Sequence, residues 1–125
     1  MKLVHKPFLM MLGAGLFGYS VAFAQFNALD PVLVAPHIFE NVLENDWVRV
    51  LKVTERNGET APLHAHPNSV VVYLSPCAWM ATTADGQTQM ESFRLGDAVW
   101  RNRVTHGGNT SQVVQDCSRL EIELK

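Results

Sequence analysis

Along most of this chain the apolar residues recur at every second position rather than at every third or fourth. In WVRVLKVT (47–54), Trp47, Arg49, Leu51 and Val53 share one face and Val48, Val50 and Lys52 the other, so the more apolar face also carries an arginine. SVVVYLS (69–75) is a strong apolar strand ended by Ser75-Pro76, and RLEIELK (119–125) alternates cleanly, with Leu120, Ile122 and Leu124 on one face. CAWMATT, QMESFRL, LGDAVW and SQVVQ add further short segments, separated by RNGE, by Asp85-Gly86 and by Gly96-Asp97, all of which are turn chemistry. No window after the first 24 residues holds a long helical period. Several short strands at spacings of about 8–12 residues predict an all-β antiparallel sandwich or barrel.

Before Trp47 the pattern changes. Residues 25–46 carry Pro31 and Pro36 and mixed polarity, which predicts an N-terminal arm followed by a turn. Its short apolar runs, LVA and IFENVL, read as edge strands or as one weak helical turn. The first 24 residues differ again: Lys2 and Lys6 precede an apolar run from Phe8 to Phe23 loosened by Gly13, Gly15 and Gly18, and Ala22-Phe23-Ala24 follows. That is the layout of a signal peptide cleaved after Ala24. An uncleaved anchor is the alternative, but the run is short for a span of about 20 residues. The expected product is periplasmic or secreted, with a barrel domain over 47–125.

Processing changes the charge. The 125 residues hold 10 Lys and Arg against 12 Asp and Glu, and loss of Lys2 and Lys6 leaves 8 − 12 = −4. That balance argues against nucleic acid, and against a membrane once the leader is gone. Export also suggests that the two cysteines, Cys77 and Cys117, form a disulfide rather than serve as small buried core residues.

The candidate chemistry lies in GETAPLHAHPNS (58–69). On a strand, His64 and His66 point to the same face about 7 Å apart, a spacing from which two imidazoles converge on one ion. Of the other histidines, His5 leaves with the leader and His37 lies in the arm; His106, after the Gly96-Asp97 turn, is the candidate third ligand. The alternative is that these are hydrogen-bonded structural histidines. Arg49 is the candidate to clamp a substrate carboxylate if its face looks into the barrel. Otherwise it covers the sheet from outside. Tyr73, Phe93, Trp79 and Trp100 fall in predicted strands and are read as packing.

Gly58, five residues, then His64-Ala65-His66 and a strand resembles the first motif of the cupins. Gly96, His106 and Asn109 are similar to the second. ENDWVRVLKV, HAHPNSVVVYLS and EIELK look like small single-domain bacterial cupins of the type associated with β-alanine degradation. The resemblance implies a single-domain antiparallel jelly-roll barrel with a metal held inside. The sequence departs from the motifs where a glutamate ligand usually follows the second histidine, since Val70 and Val71 stand there. Asn102 and Val104 replace the usual proline and glycine of the second motif, and His106 and Asn109 arrive one residue early.

Two functions fit this reading. One is a metal-dependent, oxygenase-type enzyme acting on a small anionic substrate; iron, zinc, manganese, nickel and copper all suit imidazole. The other is a small-molecule-binding module that has lost the ligand glutamate. Pairing of two copies, through the sheets or the edge strand of the arm, is a further expectation.

Overall fold

The computed structural model describes residues 28–83 and 85–125. The expected leader and His5 lie outside the described residues. Asp30 caps a single helical turn, α1 (Pro31–Val34), its carboxylate accepting from the Val32 amide at 2.9 Å while Pro31 takes the first helical position. Leu33 and Val34 of LVA are thus helical, and Ala35 caps the turn. IFENVL is instead an edge strand, β1 (Phe39–Glu44), with a bulge between Asn41 and Leu43.

The remaining strands are β2 (Val48–Glu55), β3 (His64–His66), β4 (Ser69–Tyr73), β5 (Cys77–Thr82), β6 (Thr88–Phe93), β7 (Ala98–Arg101), β8 (Val104–His106), β9 (Ser111–Gln115) and β10 (Cys117–Leu124). They form a five-stranded sheet in the order β1-β2-β10-β4-β7, a three-stranded sheet β6-β5-β9, and a two-stranded ribbon β3-β8. Every pairing is antiparallel. The expected all-β jelly-roll architecture is the one observed, and β1 brings part of the arm into its sheet.

What the alternation leaves open is which face looks inward. On β10 the apolar residues Leu120, Ile122 and Leu124 point out, and Arg119, Glu121 and Glu123 point in. Register carries this inversion across the large sheet. One inner row reads Leu51, Glu121, Val71, Val99, and the next reads Arg49, Glu123, Ser69, Arg101. An outer row of Leu43, Val50, Ile122, Val70 and Trp100 crosses all five strands, and its two ends, Leu43 and Trp100, are half exposed.

The interior is therefore divided. Ala35, Ile38, Phe39, Leu51, Val53 and Ala61 form one apolar cluster, and Val71, Tyr73, Cys77, Val113 and Cys117 form a second, flanked by Trp79, Phe93 and Val99. Phe93 stacks on Tyr73 with ring centroids 4.3 Å apart. Buried polar groups fill the space between the clusters.

The second cluster contains the expected disulfide, which ties Cys77 on β5 to Cys117 on β10 and so joins the small sheet to the large one. The bridge spans a sequence separation of 40, for which the chain-entropy relation gives about 4 kcal/mol of stabilisation. The paired Cys77→Ala/Cys117→Ala variant should lose stability of that order in urea unfolding. An unchanged midpoint would show that the two clusters hold the sheets together unaided.

Candidate metal centre

The site begins with three residues of strand. His64, Ala65 and His66 are all buried, and β3 pairs with β8 so that His64 stands directly across from His106. The imidazoles gather with ring centroids 4.4 Å (His64–His106), 4.9 Å (His64–His66) and 5.4 Å (His66–His106) apart. Phe39 closes the cluster from the apolar side, 4.8 Å from the His64 ring and 5.7 Å from that of His66. Backbone approach sets the spacing: Gly107 follows His106 with φ +101°, and any Cβ there would collide with the Pro62 carbonyl oxygen.

Each histidine of β3 has its tautomer fixed from behind. His64 Nδ1 donates to the Pro62 carbonyl at 2.6 Å, and His66 Nδ1 donates to Glu123 Oε1 at 2.7 Å. Both acceptors can only accept, so the proton sits on Nδ1 and the Nε2 lone pair faces the other way. Those two Nε2 atoms are buried and have no hydrogen-bond partner among the described residues. One nitrogen from each of His64, His66 and His106 lies within 4.8 Å of the others. Nitrogens on opposite sides of one ion, at bond lengths of about 2.1 Å, would stand about 4.2 Å apart. The cluster has the donor atoms of a coordination sphere and would draw in by about half an ångström to close on an ion.

Electrostatics agree with that arrangement. Burial, followed by repulsion from His64 and His66 and then from Arg119 and Arg101, pushes His106 down to about 3. Burial also lowers His64, a shift that its bond to Pro62 only partly opposes. Neutral imidazoles are the form that ligates a cation.

A cavity of about 740 Å³ opens beside the cluster, lined by His64, His106, Tyr73, Trp79, Arg119 and Glu121 among others. Arg119 is buried in its wall, pairs with Glu55 and lies 5.1 Å from the centre of the Trp79 ring. Arg101, closer to solvent, pairs with Glu91 at 3.4 Å and sits 5.4 Å over Phe93. Burial raises the Tyr73 hydroxyl, against an opposing hydrogen bond from Arg101. Tyr73 and Trp79, read from sequence as packing, thus serve both the core and the cavity wall. Trp100 is on the outer face and about half exposed.

The structure brings His64, His66 and His106 together. His37 is exposed, 3.4 Å from Glu59, and is not part of the cluster. Arg49 points inward but does not reach the cavity wall; its Nε donates to Glu123 at 2.6 Å and its Nη1 to Asp30 at 2.5 Å. Burial opposes its charge, and the two carboxylates more than offset this, leaving the guanidinium pKa raised. Sequence reading missed Glu121 and Glu123. Glu121 accepts from Ser69 Oγ at 2.9 Å and stands 3.4 Å from His66 Nδ1. The signal for both was available in the charged half of the RLEIELK alternation.

The depressed His106 pKa has a consequence for metal-free protein. The unfolded chain takes up this proton near the ordinary value of 6.5 and the folded chain only near 3, so the unfolded state binds more protons between those values. Stability from this group is complete above about pH 6.5 and drains away as pH falls towards 3. His106→Gln should flatten the pH dependence of unfolding in that window. Parallel wild-type and variant curves would contradict the burial of a neutral ring.

No protein-family model matches the chain, and no curated protein matches it. Solved structures do. A cupin domain from Bordetella pertussis Tohama I is 20% identical with a TM-score of 0.58, over 70% of this chain and 92% of that one. An RmlC-like cupin with a double-stranded β-helix fold from Methanocaldococcus jannaschii is 12% identical with a TM-score of 0.52, over 70% and 78%. A polyketide cyclase from Streptomyces resistomycificus is 15% identical with a TM-score of 0.51, over 69% and 63%. At these identities the likeness is one of fold, and the fold of this chain is that of the cupins, a double-stranded β-helix.

Proposed function

We propose that this protein is an exported cupin that holds one divalent transition metal through His64, His66 and His106 and receives a small anionic, chelating molecule in the adjoining cavity. The observation that carries the reading is the pair of buried Nε2 atoms without hydrogen-bond partners among the described residues. Two orphaned acceptors in a barrel of this size are costly unless a cation or a hydrogen donor occupies the space between them. Burial in front and fixed Nδ1–H groups behind make these lone pairs unsuited to water-facing roles.

The ion would supply Lewis acidity and, for iron, manganese or copper, redox chemistry. The chain's own contribution is positional. Arg119, with its guanidinium held between Glu55 and Trp79, gives the cavity a fixed positive group suited to a substrate carboxylate or enolate. Tyr73 and Trp79 supply flat apolar wall. An oxygenase-type reaction would use the open face of such a centre, and the fold also serves the cyclase named above. A binding module without chemistry is favoured by one observation: two of the arginines lining the cavity, Arg119 and Arg101, are already paired with Glu55 and Glu91. For export, the disulfide fits an oxidising compartment, and no helix among the described residues is long and apolar enough to cross a membrane.

Metal analysis of the mature protein should return close to one equivalent, falling sharply in His66→Ala and in His106→Ala. Retention of metal by His106→Ala would remove that residue from the site. A wild type that stays metal-free after supplementation with iron, zinc, manganese, nickel and copper would overturn the metal reading and leave the binding module.

A further inference from the structure

Behind the histidine cluster, a chain of charged groups runs from the centre of the barrel to its surface. His66 Nδ1 meets Glu123 Oε1 at 2.7 Å, Glu123 Oε2 meets Arg49 Nε at 2.6 Å, and Arg49 Nη1 meets Asp30 Oδ2 at 2.5 Å. Side-chain exposure rises along it, from 2% at His66 and Glu123 to 18% at Arg49 and 22% at Asp30. The last member belongs to the arm. Asp30's other oxygen caps α1, and the neighbouring Leu29 carbonyl accepts from the amide of Ala65, between the two histidines, at 2.9 Å. The arm is therefore fastened to β3 twice, once through backbone and once through this chain of side chains.

We infer that Asp30, Arg49 and Glu123 are positioning residues for His66, and that docking of the N-terminal arm and binding of metal stabilise each other. The physical reason lies in what each link fixes. Glu123 is an acceptor only, so it holds the Nδ1–H tautomer and turns the Nε2 lone pair towards His64 and His106. Its carboxylate would be free to rotate away if His66 were its only partner. Arg49 prevents that through the planar fork of its guanidinium, which engages Glu123 by Nε and Asp30 by Nη1. Asp30 then fixes the fork, and its own place is fixed by the cap it makes on α1. Coupling of this kind is reciprocal: whatever the arm adds to metal affinity, metal adds to arm docking.

This inference rests on the metal-binding reading, but one of its measurements does not. In metal-free protein, long-range proton–nitrogen correlation of the imidazoles should show His66 held as the Nδ1–H tautomer in wild type and as a mixture in Arg49→Met and Asp30→Asn. In chelator competition with Zn²⁺ and Co²⁺, Glu123→Gln should weaken binding by about 10–100-fold, the range for loss of an outer partner of a ligating histidine. Asp30→Asn, two links further out, should weaken it less but in the same direction. Deuterium exchange at the amides of residues 28–38 should slow on adding Zn²⁺ to wild type and respond less in Asp30→Asn. A merely structural salt bridge would lower the unfolding midpoint while leaving tautomer and affinity as in wild type. That outcome in folded Asp30→Asn, the mildest and most exposed of these changes, overturns the proposal. If wild type binds neither ion, the metal reading fails, and the tautomer experiment alone decides whether the chain positions His66.

Discussion

The hydrogen bond between His66 and Glu123 is the constraint to which the rest of the interior is fitted. Both side chains are almost wholly buried, and a carboxylate so placed without partners costs several kcal/mol. Glu123 faces inward because β10 pairs with β2 and β4 in a register that opposes it to Arg49 on one side and Ser69 on the other. A shift by one residue would turn Glu123 to solvent and bury Leu120, Ile122 and Leu124 instead. It would also strip His66 of its acceptor and Arg49 of its partner. The pairing thus selects the register of the central strand, and the histidine pair belongs to the same decision.

A barrel that spends its middle on charged groups has little room left for oil. Its two apolar clusters are small; the first draws on β1 and β2 of the large sheet and the arm, and only the second, with Val71 and Tyr73 facing Cys77 and Val113, joins the two sheets. The Cys77–Cys117 bridge reinforces that second cluster with a covalent tie between the sheets. Small domains commonly supplement a limited core with a covalent tie of this kind. Phe39 has a related double duty, since it belongs to the first cluster and also forms the apolar floor of the histidine site.

Much of this was legible from sequence, and what was not has a physical cause. The strands announced themselves because alternation and turn residues are local properties, as in WVRVLKVT and around Gly96-Asp97. His64 and His66 were legible for the same reason, because their geometry is set by one strand. His106 could be named but not placed, for its position depends on β8 pairing with β3, a contact between residues about forty positions apart in the chain. Arg49 was legible as a cation on the more apolar face of its strand; which way that face looks and what it pairs with were not, since Asp30 and Glu123 come from opposite ends of the described chain. For β10 the choice of face followed tertiary pairing. The usual expectation that the apolar face turns inward failed there because each inward charge finds a partner on another strand: Arg119 meets Glu55, Glu123 meets Arg49 and His66, and Glu121 accepts from Ser69.

That failure also changes the meaning of the missing glutamate. Val71, the inward-facing one of the two positions where the cupin motif has its carboxylate, lies directly across the ladder from Glu121. Side chains opposite each other on one face of a sheet reach the same space. Glu121 accordingly stands 3.4 Å from His66 Nδ1 and forms part of the cavity wall. A motif read along one strand records which residue type is present at one address, whereas a barrel interior is supplied by every strand that faces it. The inner face of this barrel is carboxylate-rich beside the histidines even though β4 contributes none. Loss of a motif residue therefore does not by itself indicate loss of the negative charge that a cationic centre requires.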